Sequence, residues 1–202
     1  MANTLSTNLS TPARVSSLGH ALLGLLARED ATGYDLAQQM RHPVGYFWEA
    51  GHSQIYPELG RLEAAGLVGH AVVAGRGPLP TKRYSLTDAG RRAQVAWLEG
   101  PMRPEPSRDL QTLRTWSLWM GDAALARSWA VGRRAHHARV LRELESERAK
   151  LLADPPAPGA ELWCNLAAVE LGVRSRRAEL DWCDWMLAEV DRWAACGTMT
   201  SR

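Results

Sequence analysis

The residues best placed to do chemistry lie between His52 and Tyr84, and their chemistry is recognition rather than bond-breaking. Ser53, Gln54, Tyr56 and Arg61 offer hydroxyl, amide, phenol and guanidinium groups within nine residues. Ile55, Leu59 and Leu62 recur at i, i+4 and i+7, the stripe of an amphipathic helix. On the opposite face stand Ser53, Pro57, Gly60 and Ala64, flanked by Tyr56 and Arg61. A small, polar outer face suits a helix laid against another surface. Ser53 is expected to cap the helix and Pro57 to sit at the edge of its first turn. Gly66 is expected to end it, as a residue tolerant of positive φ. A strand-like run follows from Leu67 to Val73, then a turn-rich tip, Gly75 to Pro80, and a return strand, Lys82 to Leu86. A helix with a bare face, followed by a basic hairpin, fits a winged helix–turn–helix on DNA. It fits equally a small α+β domain whose helix packs on something else.

Other chemistries find little support. No serine stands in a nucleophile-elbow context, and Gly75-x-Gly77 leads into proline rather than into a phosphate-binding helix. His136 and His137 are adjacent, so on a helix they point about 100° apart and suit a surface or interface better than a metal. Cys164, Cys183 and Cys196 form no CxxC pair and have no histidine nearby; buried or half-buried free thiols are expected. The expectation is no enzyme, no metal and no cofactor.

Composition frames this. The 202 residues are 46% hydrophobic and 23% charged, with no run of about 18 apolar residues to span a membrane. Net charge is only +2, shared evenly between the halves. The basic excess is local: Arg76, Lys82, Arg83, Arg91 and Arg92 face Asp88 alone between Gly75 and Arg92. Phosphate contact requires local charge. The polar start, without the basic-then-apolar order of an export signal, and the odd cysteine count point to a cytoplasmic protein.

Around the opening stretch, Ser16 or Ser17 caps a helix from Leu18 to Ala27. Thr32 and Asp35 outline a capping box on a second helix ending near Arg41-His42-Pro43. Tyr46-Phe47-Trp48 form an aromatic turn before the third helix, and Thr87-Asp88 cap a fourth reaching Glu99.

Three motifs now stand in register: Thr32-Gly33-Tyr34-Asp35-Leu36; Ile55-Tyr56-Pro57-x-Leu59-x-Arg61-Leu62-Glu63-x-x-Gly66-Leu67; and Arg83-Tyr84-x-Leu86-Thr87-x-x-Gly90. From about Leu18 to Trp97 the chain resembles the PadR family of bacterial transcriptional regulators. The resemblance implies a winged helix–turn–helix, a dimer, and usually repression relieved by a small molecule. It implies that Ser53, Gln54, Tyr56, Pro57 and Arg61 contact DNA from the recognition helix and Lys82 and Arg83 from the wing. Tyr84 would buttress the strand and touch phosphate. The chain departs from the family pattern at Gly60, where a basic or polar residue is common, and in a wing tip with two prolines and one arginine.

Pro101, Pro104 and Pro106 make a stiff linker. Beyond it lie a short helix, Asp109 to Met120, and two long ones, Ala123 to Ala153 and Glu161 to Ala195. Leu125, Trp129, His136, Val140, Leu144 and Leu151 give the first long helix its drifting stripe. Helices this long need a partner to cover them, and a second copy is the simplest. Seven of nine tryptophans fall after residue 100. This half is similar to the dimerisation domain of virulence-activator-like members of the family. The expected fold is mostly α with a small β-hairpin wing. A disordered arm, 1–12, precedes a DNA-binding domain, 13–100, and a helical dimerisation and effector domain, 107–197. Expected partners are double-stranded operator DNA, a second copy of the chain, and an aromatic or hydrophobic effector walled by Trp48, Trp116 and Trp119. Two other readings stay open: a winged helix used for protein–protein contact, and a small-molecule-binding protein with weak DNA affinity.

Overall fold

The computed structural model describes residues 15–41, 52–75, 79–101 and 109–199, with side chains to residue 196. The expected arm 1–12, the aromatic turn with Trp48, and Arg76 at the wing tip lie outside the described residues. The chain forms two compact units, Met1–Met102 and Arg103–Arg202.

The first unit runs α1 (Ser17–Leu26), β1 (Ala31–Thr32), α2 (Gly33–Gln39), α3 (His52–Ala64), β2 (Val68–Val73), β3 (Thr81–Leu86) and α4 (Asp88–Glu99). Ser16 caps α1 by accepting the Gly19 N–H, and Thr87 caps α4 through the Gly90 N–H. The Thr32–Asp35 capping box at α2 is complete in both directions. Leu22, Leu23, Leu36, Ile55 and Leu59 are almost wholly buried, each worth about 1.5–3 kcal/mol of burial. They knit α1, α2 and α3 into one core.

The sheet has three strands, not the expected two-stranded hairpin. Their order is β1-β3-β2, all antiparallel, with Ala31 opposite Tyr84 and Val68 opposite Leu86. The extra strand, Ala31–Thr32, lies where a plain turn is expected; two residues are too few to show alternation. The start of α3 also differs. The helix begins at His52, so Ser53 is a helical residue rather than its cap, and Pro57 lies inside the helix. The missing Pro57 N–H removes one bond to the Ser53 carbonyl in the first turn, and the buried Ile55–Leu59–Leu62 stripe holds the helix despite it.

The second unit holds α5 (Leu110–Trp116), a 3-10 turn (Leu118–Met120), α6 (Ala123–Ala153) and α7 (Glu161–Met199). The single short helix expected here breaks at Ser117. Asp122 caps α6 by accepting the Leu125 N–H. The buried side of α6 is Ala126, Ala130, His137 and Leu144, against Val169, Val173, Cys183 and Val190 of α7. The α6 stripe is therefore turned by about one residue from the expected line, because small alanines let the helices approach. Leu125 is exposed, and His137 rather than His136 is buried. Arg134–Asp184 and Arg127–Asp191 pairs flank the seam. Cys183 is buried as expected, whereas Cys164 and Cys196 are exposed. No helix among the described residues is long and apolar enough to cross a membrane.

Candidate nucleic-acid interface

The α3 helix presents two chemically distinct sides. Inward, Ile55, Leu59 and Leu62 are at most 3% exposed. Outward, Ser53, Gln54, Tyr56, Pro57, Gly60 and Arg61 are all exposed. An added Cβ at Gly60 would meet nothing within 4 Å, so this face has a gap at its centre.

The C-terminal end of α3 is fixed. At its end, Gly66 adopts φ +70°. Its N–H donates to the Glu63 carbonyl at 2.9 Å, and the Leu67 N–H donates to the Leu62 carbonyl at 2.9 Å. This double closure satisfies carbonyls the helix would leave bare and needs a residue tolerant of positive φ. The Thr87 hydroxyl lies 2.8 Å from the Gly66 carbonyl and 2.9 Å from that of Leu67, which ties the same turn to α4. The backbones pass so closely that a Cβ at Gly90 would fall 2.1 Å from the Leu67 oxygen. Two of the motif glycines thus fix the angle at which α3 leaves the core.

Along its length α3 is anchored by a residue the sequence reading missed. Glu58 is 4% exposed, a buried carboxylate. The Ser16 hydroxyl, already the α1 cap, donates to Glu58 Oε1 at 2.5 Å, and Arg61 donates to Oε2. Charge-assisted bonds offset the desolvation of the carboxylate. The signal was in the spacing: position 58 lies three after Ile55 and four before Leu62, on the buried side. Arg61 keeps its side chain 72% exposed while pairing with Glu58. Tyr56 is 52% exposed, and its ring lies over Gly33 at the start of α2.

The wing carries a second charged group. Lys82 Nζ lies 3.2 Å from Glu63 Oε2, and His70 Nδ1 donates to Oε1. Those two bonds, His70 first, hold the Glu63 carboxyl below its ordinary value. Arg83 Nη1 donates to the Asp30 carbonyl at 3.2 Å, bracing the edge beside β1. Tyr84 is 5% exposed and belongs to the core; burial pushes its phenol up. Along β3, Tyr84 is buried, where it buttresses the strand, while Lys82 and Arg83 are exposed.

Of the expected effector residues, Trp48 lies outside the described residues, and Trp116 and Trp119 do not share a cavity. Trp116 lines a cavity of about 680 Å³ with Trp182 and Arg133. Trp119 is 74% exposed and lines neither that cavity nor its neighbour of about 560 Å³. Trp129 and Trp182, not singled out as effector residues from sequence, flank Arg133 with ring centroids 5.5 and 5.1 Å from its guanidinium carbon. Among the described residues no cluster of three or more His, Cys, Asp or Glu could hold a metal ion.

Comparison with known proteins agrees with this geometry. Residues 22–95 match the family model of the transcriptional regulator PadR-like family, and residues 108–191 that of the virulence activator alpha C-terminal domain. The chain is 27% identical over 179 residues to the negative transcriptional regulator PadR of Bacillus subtilis, covering 87% of this chain and 98% of that protein. The crystal structure of Bacillus subtilis PadR with operator DNA superposes with a TM-score of 0.79, at 26% identity, over 87% of this chain and 99% of that one. The same regulator with p-coumaric acid gives a TM-score of 0.74, at 27% identity, over 88% and 99%. The matched proteins are transcriptional regulators, not enzymes.

Proposed function

The chain belongs to the PadR-like family of transcriptional regulators, and on that premise we propose that it is a cytoplasmic homodimeric repressor released from operator DNA by a small molecule. Two copies of α3, about 34–36 Å apart, would enter successive major grooves of an inverted repeat. Ser53, Gln54 and Tyr56 are the base-edge candidates; Pro57 and Gly60 let the backbone approach. Arg61, Lys82 and Arg83 supply phosphate attraction. Tyr84 acts from inside, holding the strand that carries Lys82 and Arg83. The bound dimer blocks polymerase. An effector favouring a dimer with the wrong α3 spacing shifts the population off DNA.

The observation that carries this reading is the outer face of α3, exposed and nearly bulk-free on a helix fixed at its end and along its inner side. The operator-bound Bacillus subtilis regulator of similar fold supports it. One observation favours a second reading, a ligand-binding protein with weak DNA affinity: Arg61 and Lys82 already have carboxylate partners in Glu58 and Glu63.

A gel shift on the protein's own upstream DNA at two salt concentrations separates the two. A tight, sequence-selective shift that weakens steeply with salt supports the repressor. Lys82→Ala should then weaken binding to all sequences alike and lower the salt slope by about one. A weak shift indifferent to sequence supports the second reading.

A further inference from the structure

Among the described residues Glu58 is the one buried carboxylate, and it lies in α3, the helix proposed to read DNA. The first turn of α1 makes its seat. The Ser16 hydroxyl accepts from the Gly19 N–H at 2.9 Å and donates to Glu58 Oε1 at 2.5 Å. Gly19 leaves room beside that oxygen: a Cβ there would fall 2.8 Å from Glu58 Oε1 and 3.4 Å from Leu62 Cδ2. The start of a helix also favours a negative charge. One oxygen of the carboxylate is therefore held by the α1–α3 junction.

The second oxygen has a different kind of partner. Arg61, one turn further along α3, donates to Glu58 Oε2 from Nη1. The Arg61 side chain is 72% exposed and that of Glu58 only 5%. The guanidinium is thus pinned at one nitrogen to a fixed oxygen while most of the side chain stays in solvent. Its planar fork carries several N–H donors, so one bond to Glu58 leaves others for a phosphate. The Lys82–Glu63 pair lies further out, with both side chains part-exposed, and restrains its cation less.

Stability alone does not account for this seat. A buried ion pair can often be replaced by apolar side chains of like volume without loss of stability. Ile55, Leu59 and Leu62 already hold α3 to the core, and Ser16 caps α1 through its acceptor side, which needs no carboxylate. What Glu58 adds is an anchor for Arg61. An arginine ordered before binding avoids the cost of ordering a rotamer-rich side chain on the DNA, about three- to tenfold in affinity.

We propose that Glu58 is a positioning residue for DNA binding: seated by Ser16 and Gly19, it presents the Arg61 fork to a backbone phosphate without touching DNA itself. The role rests on the DNA reading above and deepens it by naming what sets one of its phosphate contacts.

The test is a double-mutant cycle on the full-length protein, read by fluorescence anisotropy on a footprinted operator duplex. Glu58→Met, an unbranched apolar replacement of similar length, should fold as the parent does and weaken operator binding by about three- to tenfold. Glu58→Gln, which can still accept from Ser16, should weaken it similarly and carries the test should Glu58→Met fail to fold. With Arg61→Ala already in place, either substitution should change affinity by less than about twofold, because the group it positions is gone. A merely structural role would weaken binding equally in both backgrounds. Without DNA, NMR relaxation of the Arg61 Nε–H should show a restrained side chain in the parent and a mobile one in both variants. Unchanged or tighter binding by the variants, equal losses with and without Arg61, or an Arg61 as mobile in the parent as in the variants would each overturn the role. A restrained Arg61 in a parent that binds no operator would refute the DNA reading itself, and the role with it.

Discussion

The two units spend their apolar residues in opposite ways. In the first, thirteen buried residues from α1 to β3 close one core, and the surface helix α3 is held to it by Ile55, Leu59 and Leu62. In the second, the buried apolar line along α6 and α7 is thin: Ala126, Ala130, Leu144, Val169, Val173, Cys183 and Val190. Large side chains remain outside, with Trp116, Trp119 and Met120 each about three-quarters exposed and Trp185 55% exposed. Exposed large apolar side chains of this kind suit an interface. The first unit closes a core and offers a polar face on α3, whereas the second leaves several of its largest side chains exposed. That asymmetry supports the proposed homodimer.

Substitutions sharpen the contrast. The largest effect is expected at Leu59, which is fully buried: Leu59→Ala should cost about 2–5 kcal/mol by urea denaturation and abolish DNA binding with the fold. A cost below 1 kcal/mol would mean α3 is not locked to the core as described. Next, Trp116→Ala combined with Trp119→Ala should hardly change the stability of an isolated chain, because both rings are exposed. It should instead weaken self-association, by about 2 kcal/mol if either ring is a hot spot, read by sedimentation against concentration. An unchanged dimer would place the interface elsewhere.

A smaller effect concerns acid. Burial holds His137 below the ordinary imidazole value of about 6.5, so the unfolded chain takes up its proton first as pH falls. The stability it contributes is whole above pH 6.5 or so and drains as pH drops through the lowered folded value. His137→Gln should flatten thermal stability across that window, and a parent-like slope would contradict the lowered value of the buried imidazole. The smallest effect belongs to Gly60. With open space around it, Gly60→Ala should raise stability by about 0.5–1 kcal/mol, since glycine is a poor helix residue.

Much of the first unit was legible because its signals are local. Ser16, Thr32 and Thr87 cap as their spacing predicts, and Gly66 ends α3 at positive φ. The third strand was not, because two residues carry no period. Nor was the α3 start, since Ser53 reads as a good cap one residue after the helix has begun. Glu58 was overlooked because a carboxylate reads as surface; its burial depends on Ser16, 42 residues away. In the second unit, helix lengths followed from Asp122 and the Asp154-to-Gly159 breaker. Which side of α6 is buried did not, because alanine and tryptophan compete for it and close packing chose alanine. The packing of Arg133 against Trp182 joins residues 49 apart and shows no motif.

The most direct test of the account is operator spacing. Once footprinting locates the two half-sites, about five base pairs, half a turn of B-DNA, are inserted between them and affinity is measured by fluorescence anisotropy. If two copies of α3 read one face of the duplex together, the insertion collapses binding toward that of a single half-site, and about ten base pairs restore part of it. Affinity unchanged by the five-base-pair insertion would contradict a dimer that reads DNA through paired α3 helices.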